Sequence, residues 1–422
     1  MRIAIASLGS RGDVQPMVAL AATLATRGHD VRLITHQGCA GLVDMPAVDL
    51  RTIDYDLRTE LSTVEGRQLL HSGRNIVAGV RAARAIGRRN HDPIWGGLAE
   101  HTQGADFLVC ETTTLGQMDA IAELRGLPCI PVLLQPMAAT RAFPHPLAPP
   151  PRLKLPGWAN RLHHHLIDQL FWQTMRPLVS DGRRDTFGLP PWPLLGPYAR
   201  FRREARPTLM AFSRHVLPRP IDWHTGIDVT GYWFLERPSA WQPSADLVGF
   251  LEAGPPPVYI GFGSMTLTDS EATAALVLAA VAQVGCRAVL AAGWGGLTPK
   301  VFPRNVFALE EAPHDWLFPR MVAVVHHGGA GTTAAALRAG VPSVVVPFMG
   351  DQFFWARILA RKGVAAEAVP RTQLSISALS RAVSLTLKDH SMRQRAAVLS
   401  ALIHEEDGVG RAAARIEALG NR

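Results

Sequence analysis

The chain of 422 residues is poor in the features that mark secreted, membrane-spanning and metal-binding proteins. Its four cysteines are widely scattered and form no Cys-x-x-Cys pair: Cys39, Cys110, Cys129 and Cys286. This spacing indicates reduced thiols rather than a disulfide framework or a zinc site. No apolar run approaches the roughly twenty residues that a membrane-spanning helix needs, and Met1 leads into a strand-like run rather than a signal peptide. We therefore expect a cytoplasmic protein.

Basic residues outnumber acidic residues in this chain, which gives a net charge of +8 and a calculated pI of 9.8. Its arginines are nevertheless spread along the sequence, and it lacks an aromatic RNP motif, zinc-finger spacing and a basic heptad arm. These absences argue against nucleic-acid binding. Attraction to anionic small molecules or to a membrane surface is one alternative, and an ordinary solvated basic face is the other.

Alternating strands and helices are the main pattern that the sequence does contain. Arg2–Ser7 predicts a buried strand, Val14–Thr26 a helix and Val31–Thr35 the next strand, with a glycine-containing loop after the first strand. Phe107–Cys110 and Cys129–Leu134 predict further strands. Such β–α–β units build doubly wound parallel sheets, so we expect an α/β protein.

The length of the chain and a second strand–helix series predict two Rossmann-like domains. The second series begins with a strand at Val258–Gly261. We expect a first domain at residues 1–217 ending in a strand at Thr208–Phe212, a linker at 218–243, a second domain at 244–390, and helices at 391–422 that return toward the first domain. Ligands bind beyond the carboxyl ends of such strands, so a cleft between the domains is the expected site.

A glycine-rich turn in the second series predicts an anion site. An apolar run at Met321–Val325 ends in the sequence HHGGAGTT, which leads into a helix-like segment from Thr332 to Ala339. Glycines before a helix let backbone N–H groups approach an anion, and the helix dipole favours negative charge there. The next apolar run is followed by Asp351 and Gln352, a polar pair suited to binding a ligand rich in hydroxyl groups.

Two common classes of nucleotide-binding protein do not fit these loops. The first loop reads Gly9-Ser10-Arg11-Gly12-Asp13 rather than GxGxxG, and the second strand ends in Ile34-Thr35-His36 without a ribose-binding acid. No GxxxxGK[ST] motif is present. The sequence therefore excludes a dinucleotide dehydrogenase and a P-loop NTPase.

Six motifs in a fixed order give the chain a resemblance to a known family. They are GSRGDVQP, TGYWFL, PPVYIGFGSM, PHDWLFP, HHGGAGTT and PFMGDQFF. With them the chain resembles the inverting glycosyltransferases of the GT-B fold, a family that includes plant and mammalian glucosyl- and glucuronosyltransferases. Its motifs are most similar to those of sterol 3β-glucosyltransferases, followed by bacterial transferases that glycosylate antibiotics and glycolipids.

The resemblance implies a metal-independent hexosyltransferase that moves a hexose from a nucleotide diphosphate sugar to a lipophilic acceptor. UDP-glucose is the first expectation for this co-substrate, with no permanently bound cofactor. A sterol-like alcohol is the first expectation for the acceptor, and a glycolipid or a polyketide aglycone is the second. The alternative from a different class is a non-catalytic nucleotide-sugar binding protein. The oligomeric state is not indicated.

The resemblance also assigns roles to individual residues of this sequence. Asp13 occupies the position of the family's general base. The residues that match the donor phosphate site are Ser10, Arg11, Ser264, His327, Gly329, Gly331, Thr332 and Thr333. Asp351 and Gln352 match the pair that binds the donor sugar. No residue matches a metal ligand.

Some positions depart from the plant pattern. Where plant members carry a ribose-binding glutamate, this chain has Ala335, and the base-stacking tryptophan falls near Glu311. Trp316 lies elsewhere in the motif. The nucleotide is therefore left open between uridine and thymidine diphosphate.

Each candidate residue also has a structural interpretation. Asp13 could cap a helix that begins at Val14, and Asp351 with Gln352 could form a helix cap, alone or together with sugar binding. His327 alone would be read as a core histidine, and His326 is expected to pack or to orient its neighbour. Glu111 ends a strand and is either an assistant to the base or a surface residue.

Three further patterns in the sequence are relevant to metal or membrane binding. Asp54-Tyr55-Asp56 mimics a DxD metal motif, and His163-His164-His165 are consecutive on a helix and so share no face. Neither pattern predicts a metal site. Arg74–Asn90 predicts a basic amphipathic helix, which is either an acceptor-pocket wall that touches lipid or, as the favoured alternative, an ordinary surface helix.

Overall fold

The computed structural model describes residues 1–71, 75–148, 151, 153–263, 270–291 and 302–420. The chain divides into two compact units. Unit 1 contains Met1–Leu235 and the residues from Glu406 onward, and unit 2 is Glu236–Glu405. The first crossing between the units thus lies inside the predicted linker 218–243. The second crossing lies inside the predicted C-terminal helices 391–422.

In the described part of unit 1, seven strands form one parallel sheet in the order β3-β2-β1-β4-β5-β6-β7. The strands are β1 Arg2–Ala6, β2 Asp30–His36, β3 Val48–Ile53, β4 Phe107–Glu111, β5 Cys129–Leu133, β6 Thr208–Met210 and β7 Ile227–Val229. From Ile3 to Ala6 every residue of β1 is buried. A continuous apolar run of this kind is typical of a central parallel strand covered on both faces.

Helices connect these strands. They are α1 Arg11–Thr26, α2 Leu57–Ser62, α3 Val64–His71, α4 Ile76–Arg89, α5 His91–His101, α6 Leu115–Arg125, α7 Gly157–Phe187 and α8 Tyr198–Arg203. The predicted last strand, Thr208–Phe212, is wrong in its role, because β7 follows it and adds a further strand to the sheet edge. Three-residue strands such as β7 carry too few side chains to give a clear period in the sequence.

Unit 2 is built on a second parallel sheet, whose described strands follow the order β10-β9-β8-β11-β12. The strands are β8 Val258–Gly261, β9 Ala288–Ala291, β10 Val306–Leu309, β11 Ala323–His326 and β12 Ser343–Val345. The helices are α9 Ala245–Glu252, α10 Ser270–Val284, α11 His314–Leu317, α12 Ala330–Arg338, α13 Gln352–Lys362, α14 Ile376–Lys388 and α15 His390–His404. Both sheets confirm the predicted α/β class.

The last helix, α16 Gly408–Gly420, belongs to unit 1. Its small and apolar face (Ala412, Ala413 and Ile416) is fully buried. On its other side the Glu417 carboxylate lies 3.0 Å from Arg27 and 3.1 Å from His29, both just after α1. The helix is therefore part of the unit 1 core.

Among the described residues, none of the helices is both long enough and apolar enough to cross a bilayer.

Candidate active site

The first candidate site lies where β1 and β4 end, at the carboxyl edge of the unit 1 sheet. Helix α1 begins at Arg11, with Ser10 as its N-cap in extended geometry. Asp13 is thus in the first helical turn rather than before the helix, and one of its oxygens, Oδ2, accepts hydrogen bonds from the Ser10 N–H and the Ser10 hydroxyl, each at 2.8 Å. These two donors fix the direction of the carboxylate. Asp13 therefore stabilises the start of the helix, and its carboxylate is held in a fixed orientation.

The loop before α1 is held close to Asp13. A side chain at Gly9 would place its Cβ 2.4 Å from Asp13 Oδ2, so only glycine leaves room for the carboxylate. The Gly9 carbonyl lies 2.9 Å from Nε2 of His36, a fully buried side chain at the end of β2. His36 thereby ties the loop to the neighbouring strand.

A second carboxyl group, that of Glu111, lies at the end of β4 and is only 2% exposed. Its Oε2 accepts hydrogen bonds from the backbone N–H of Thr113 at 2.9 Å and from the Thr113 hydroxyl at 2.8 Å. That hydroxyl oxygen in turn accepts from the Leu8 N–H at 3.0 Å. Glu111 is therefore connected to the loop that carries the Asp13 helix, and it is not the surface residue that one interpretation of the sequence suggested.

The two carboxyl groups bind protons more tightly than ordinary carboxylates. Burial raises the pKa of Asp13, against the opposing effect of its Ser10 hydrogen bonds. Burial and then the negative charge of Asp13 raise the pKa of Glu111 to about 7, while the bonds from Thr113 oppose this change. Neighbouring buried carboxyls with raised pKa values are the groups from which acid–base catalysts are built.

Replacing Glu111 with glutamine should change how stability depends on pH. A carboxyl whose folded pKa lies above its unfolded value binds more protons when folded, so stability falls as pH rises from about 4.5 to about 7. The variant does not show this decrease. Between pH 4.5 and 8 we therefore expect its free energy of unfolding to rise by on the order of 3 kcal/mol relative to that of the wild type. Urea unfolding across this range measures it.

Glu100→Gln, at an exposed position of α5, is the matched control for that measurement. Its curve should run parallel to that of the wild type. Parallel curves for Glu111→Gln as well would show that the Glu111 carboxyl is ionised normally in the folded protein.

The second candidate site lies in unit 2, at the turn between β11 and α12. His326 is fully buried, and its Nδ1 accepts from the Gly328 N–H at 3.1 Å. Burial lowers the pKa of His326 to about 3, which keeps this ring neutral and able to accept. Gly328 has a φ of +91°, a conformation that favours glycine. His326 therefore shapes the turn, as the sequence predicted.

His327 faces two glycines that have no room for a side chain. A Cβ at Gly263 would lie 2.9 Å from His327 Cε1, and one at Gly329 would lie 2.4 Å from Nε2. Burial lowers the pKa of His327 to about 4, so the imidazole is neutral at pH 7 and offers one N–H. Its Nδ1 is buried and has no hydrogen-bond partner among the described residues.

The start of α12 adds further donors beside His327. Gly329 is the N-cap, so the N–H groups of the first helical turn have no acceptor within the helix. Thr333 is fully buried, and its hydroxyl also lacks a partner in the part of the chain that the structure describes. Gly331 and Thr332 lie in the same first turn. Unpaired donors at a helix N-terminus suit a phosphate group.

Gly329→Ala should impair this site without unfolding unit 2. The added methyl group would overlap His327 Nε2 and push the imidazole out of place. We expect nucleotide affinity to fall about tenfold or more, the loss of roughly one charge-assisted hydrogen bond. Isothermal titration with UDP and dTDP measures it. Gly249→Ala, in α9 where no atom lies within 4 Å of the new methyl group, is the control and should bind normally.

The predicted sugar-binding pair lies at the start of α13. Gln352 is buried, and its Oε1 accepts from the N–H groups of Phe348 at 2.7 Å and Met349 at 3.1 Å. Asp351 is the N-cap residue and accepts from the Trp355 indole N–H at 3.1 Å. The Gln352 side chain thus holds the turn after β12, and that of Asp351 contacts Trp355 within α13, so both residues have structural contacts other than the helix cap that the sequence suggested.

The remaining predicted residues fall in different environments. Ser264 lies outside the described residues. Arg11 is exposed, and its Nε lies 3.4 Å from Gln15 Oε1. The Ser10 hydroxyl is directed to Asp13, as described above. Trp316 packs edge-on against Trp241, with ring centroids 5.3 Å apart.

The motifs that mimic metal sites have structural roles. Asp56 caps α2, where its carboxylate accepts from the N–H groups of Arg58 and Thr59. His164 is fully buried with Nε2 3.1 Å from the Phe143 carbonyl, and His163 Nδ1 accepts from the His145 N–H. No group of three or more potential ligands is assembled for a metal ion within the described ranges.

The predicted basic amphipathic helix corresponds to α4. Val80 and Ile86 on its apolar side are buried, and Arg89 forms an ion pair with Glu65 at 2.9 Å. Val80 and Ile86 therefore pack inward against the rest of unit 1, whereas Val77 is exposed. This arrangement agrees with the favoured alternative of an ordinary surface helix.

Two supporting residues, His36 and Thr113, were not singled out by sequence reasoning. A polar residue at or near the end of a buried strand was the available signal in both cases, since His36 is the last residue of β2 and Thr113 lies two residues after β4. The strand order places both ends beside that of β1, but pairing of distant strands cannot be read from local patterns.

Known families and curated proteins match both units. Residues 3–99 match the Glycosyltransferase family 28 N-terminal domain, and residues 270–407 match the Erythromycin biosynthesis protein CIII-like C-terminal domain. Sterol 3-beta-glucosyltransferase UGT80B1 of Arabidopsis thaliana is 36% identical over 98% of this chain and 67% of its own length. Sterol 3-beta-glucosyltransferase UGT80A2 of the same plant is 34% identical over 97% of this chain.

The chain is shorter than these relatives. It spans 64% of UGT80A2 and 28% of the sterol 3-beta-glucosyltransferase of Leptosphaeria maculans, which is 33% identical to it. The sequence similarity therefore covers nearly all of this chain but only part of each relative.

Solved structures share the fold over the whole chain. The glycotransferase of kitacinnamycin has a TM-score of 0.69 at 20% identity and covers 99% of this chain and 98% of its own. Glycosyltransferase VinC in complex with DTDP has a TM-score of 0.65 at 18% identity, with full coverage of both chains. These likenesses confirm the GT-B fold. The chain therefore belongs to the glycosyltransferase family that includes the sterol 3-beta-glucosyltransferases, and it is a sugar-transferring enzyme.

Proposed function

We propose that this chain transfers a hexose, glucose in the first instance, from a nucleotide diphosphate sugar to a hydroxyl group of a lipophilic acceptor, with inversion at the anomeric carbon. The observation that carries this proposal is the Asp13 carboxylate, aligned by Ser10 and set beside the buried Glu111. A protein that only bound nucleotide sugars would not need such a pair. The alternative of a non-catalytic binding protein is therefore disfavoured.

In the proposed reaction Asp13 is the general base. Its carboxylate takes the proton of the acceptor hydroxyl as the hydroxyl oxygen attacks the anomeric carbon of the sugar. The bond between that carbon and the diphosphate oxygen breaks, and the diphosphate leaves with the electron pair. The raised pKa of Asp13 strengthens it as a base. Glu111, protonated below about pH 7, limits the negative charge that builds up around Asp13.

The donor phosphates are proposed to bind at the start of α12. The neutral His327 imidazole donates its N–H, and the N–H groups of Gly329, Gly331 and Thr332 face the same turn. The buried Thr333 hydroxyl is a further donor. Such preorganised donors stabilise a departing diphosphate because they need no reorientation during the reaction. Ser10, Arg11 and Ser264 remain proposed phosphate ligands, and Asp351 with Gln352 the proposed sugar ligands.

A sterol-like alcohol is proposed as the first acceptor class, in keeping with the names of the curated relatives. A glycolipid or a polyketide aglycone is the second, since the solved structures with this fold include the calicheamicin glycosyltransferase CalG4. Uridine and thymidine diphosphate are both proposed as nucleotides. Two structural neighbours, VinC and SsfS6, were solved with thymidine diphosphate, and the ribose position here is Ala335.

The test is a thermal-shift panel of nucleotides and nucleotide sugars, followed by mass detection of products from a library of sterols and aglycones. We expect UDP or dTDP to raise the melting temperature, because a ligand that binds only the folded state stabilises it. We expect an added hexose mass on at least one lipophilic alcohol, unchanged by EDTA. Nucleotide stabilisation without any product would favour the non-catalytic alternative, and loss of product with EDTA would contradict the metal-independent mechanism.

A further inference from the structure

The first half of α7 carries an apolar stripe that faces solvent. Trp158, Leu162 and Leu166 follow one another at four-residue spacing, so they lie on one side of the helix. Their exposed fractions are 66%, 48% and 60%. Leu153, just before the helix, is 81% exposed. Single exposed leucines are ordinary, but a contiguous row of this size marks an interaction surface.

The opposite side of this half-helix is firmly packed. Asn160 donates to the Arg141 carbonyl at 3.0 Å, and Nε2 of the fully buried His164 lies 3.1 Å from the Phe143 carbonyl. The stripe is therefore the outer face of an ordered helix. Its residues project outward because the inner face is already occupied by the segment around residues 141–145.

Neighbouring loops extend this surface. Ile221 is fully exposed, and the adjacent Asp222 accepts from the Arg141 N–H at 2.8 Å, which holds Ile221 close to the start of α7. At the other end Leu194 and Leu195 are 60% and 65% exposed. Their carbonyls accept from Gln173 and Gln169 of α7. We call the set Leu153, Trp158, Leu162, Leu166, Leu194, Leu195 and Ile221 the α7 patch.

The α7 patch lies on the same side of unit 1 as Asp13. Helix α6 starts at the carboxyl edge of the sheet, after β4, and its early residue Gly116 faces Val179 of α7. Its later residue Glu123 pairs with Arg183 of α7. The two helices therefore run in the same direction, and the first half of α7 contacts residues 141–143, which follow the carboxyl end of β5 at the edge where Asp13 lies.

Within the segment from Leu153 to Leu166 the charges have one sign. From Leu153 to Leu166 the charged residues are Lys154 and Arg161, both exposed, and the segment contains neither aspartate nor glutamate. A tryptophan and leucines flanked by basic side chains are the composition that inserts at the boundary of an anionic bilayer. A second copy of the chain fits less well, because a twofold contact would bring Lys154 and Arg161 against the same charges.

We propose that the α7 patch docks unit 1 on the surface of a membrane that contains anionic lipid. Trp158 and the leucines enter the boundary between head groups and acyl chains, while Lys154 and Arg161 contact lipid phosphates. Docking of this kind would bring the carboxyl edge of the unit 1 sheet to the place where lipophilic alcohols are dissolved. The proposal goes beyond the proposed function and does not depend on it, since lipid binding can be measured without catalysis.

The test is co-sedimentation of the full chain with vesicles of phosphatidylcholine alone and of phosphatidylcholine with one quarter phosphatidylglycerol. We expect the wild type to bind the mixed vesicles more tightly. The triple variant Trp158→Ser, Leu162→Ser, Leu166→Ser should bind them at least a hundredfold more weakly, since burial of each apolar side chain contributes about tenfold or more. Lys154→Glu with Arg161→Glu should remove the preference for phosphatidylglycerol.

The matched control is Leu385→Ser with Val398→Ser, which removes two exposed apolar side chains of unit 2, 57% and 64% exposed. It should bind vesicles like the wild type. Because all the replaced side chains are exposed, circular dichroism melting curves should agree for every variant. Equal vesicle binding by the wild type and the triple variant would overturn the proposal. So would a concentration-dependent dimer that the triple variant abolishes, with no vesicle binding.

Assays of turnover separate this proposal from the proposed function. With an acceptor dispersed in detergent, the triple variant should keep the wild-type rate, and with the acceptor embedded in vesicles it should lose most of it. Vesicle binding by a wild type that glycosylates no acceptor would overturn only the proposed function. Equal rates for both proteins on vesicle-embedded acceptor would overturn a role of the α7 patch in presenting that acceptor.

Discussion

Replacing Asp13 with asparagine should lower turnover by about two to four orders of magnitude while donor nucleotide affinity stays near the wild-type value. Asparagine keeps a side-chain oxygen that can accept from Ser10, so the start of α1 and the fold should be preserved. It cannot take a proton from the acceptor hydroxyl. The expected loss is therefore confined to kcat, and Asp13→Ala should show it as well.

The measurement combines steady-state rates with nucleotide titration for the same preparations. Asp56→Asn is the matched control. Asp56 also accepts backbone hydrogen bonds at the start of a helix, but that helix is α2, which carries no proposed catalytic residue. Its turnover should stay within about twofold of the wild type. Undiminished turnover of Asp13→Asn would remove Asp13 as the base and make Glu111 the next carboxyl group to examine.

Replacing His327 with alanine should weaken the donor complex and slow the departure of the diphosphate. Removal of one preorganised donor from a developing negative charge typically costs about 10² to 10³ in kcat. The neutral imidazole sits between Gly263 and Gly329, and alanine removes both the ring and its N–H donor. We also expect the nucleotide-induced rise in melting temperature to disappear.

His404→Ala provides the control for this second result, since His404 is an exposed histidine at the end of α15 in the same unit. Its thermal shift with nucleotide should match that of the wild type. A full nucleotide-induced shift in His327→Ala would mean that the phosphate group is held elsewhere. In that case the Nδ1 atom of His327, which has no hydrogen-bond partner among the described residues, would have to bind a different ligand.

Local patterns in the sequence predicted most of the fold and the glycine-rich turn of unit 2, whereas the roles proposed for individual residues such as Asp13 came from the family resemblance. Apolar runs such as Ile3–Ala6 are buried on both faces. A strand of this kind can be recognised in the sequence without knowing which strands lie beside it. The glycines around His327 were likewise visible, because a backbone that approaches a ligand or a ring closely excludes side chains. These features depend on neighbours in the sequence.

Features that depend on specific hydrogen bonds or on distant residues were missed or misplaced. The start of α1 lies at Arg11 rather than Val14, because the Asp13 carboxylate accepts two hydrogen bonds from Ser10, which offset the weak helix propensity of the glycine between them. The raised pKa of Glu111 follows from its burial and from the charge of Asp13, which lies almost a hundred residues earlier in the chain. Neither burial nor that neighbour is visible at position 111 of the sequence.

The place of α16 in unit 1 has a consequence for biosynthesis. All strands of the unit 1 sheet have been translated once β7 is made. The residues of α16 that are buried in the unit 1 core, such as Ala412 and Ile416, are translated only after all of unit 2. On the ribosome, unit 2 can therefore close its core while unit 1 still exposes the apolar surface of α1. We expect nascent chains stalled before Glu406 to bind chaperones through unit 1, and release of the last helix to end that binding.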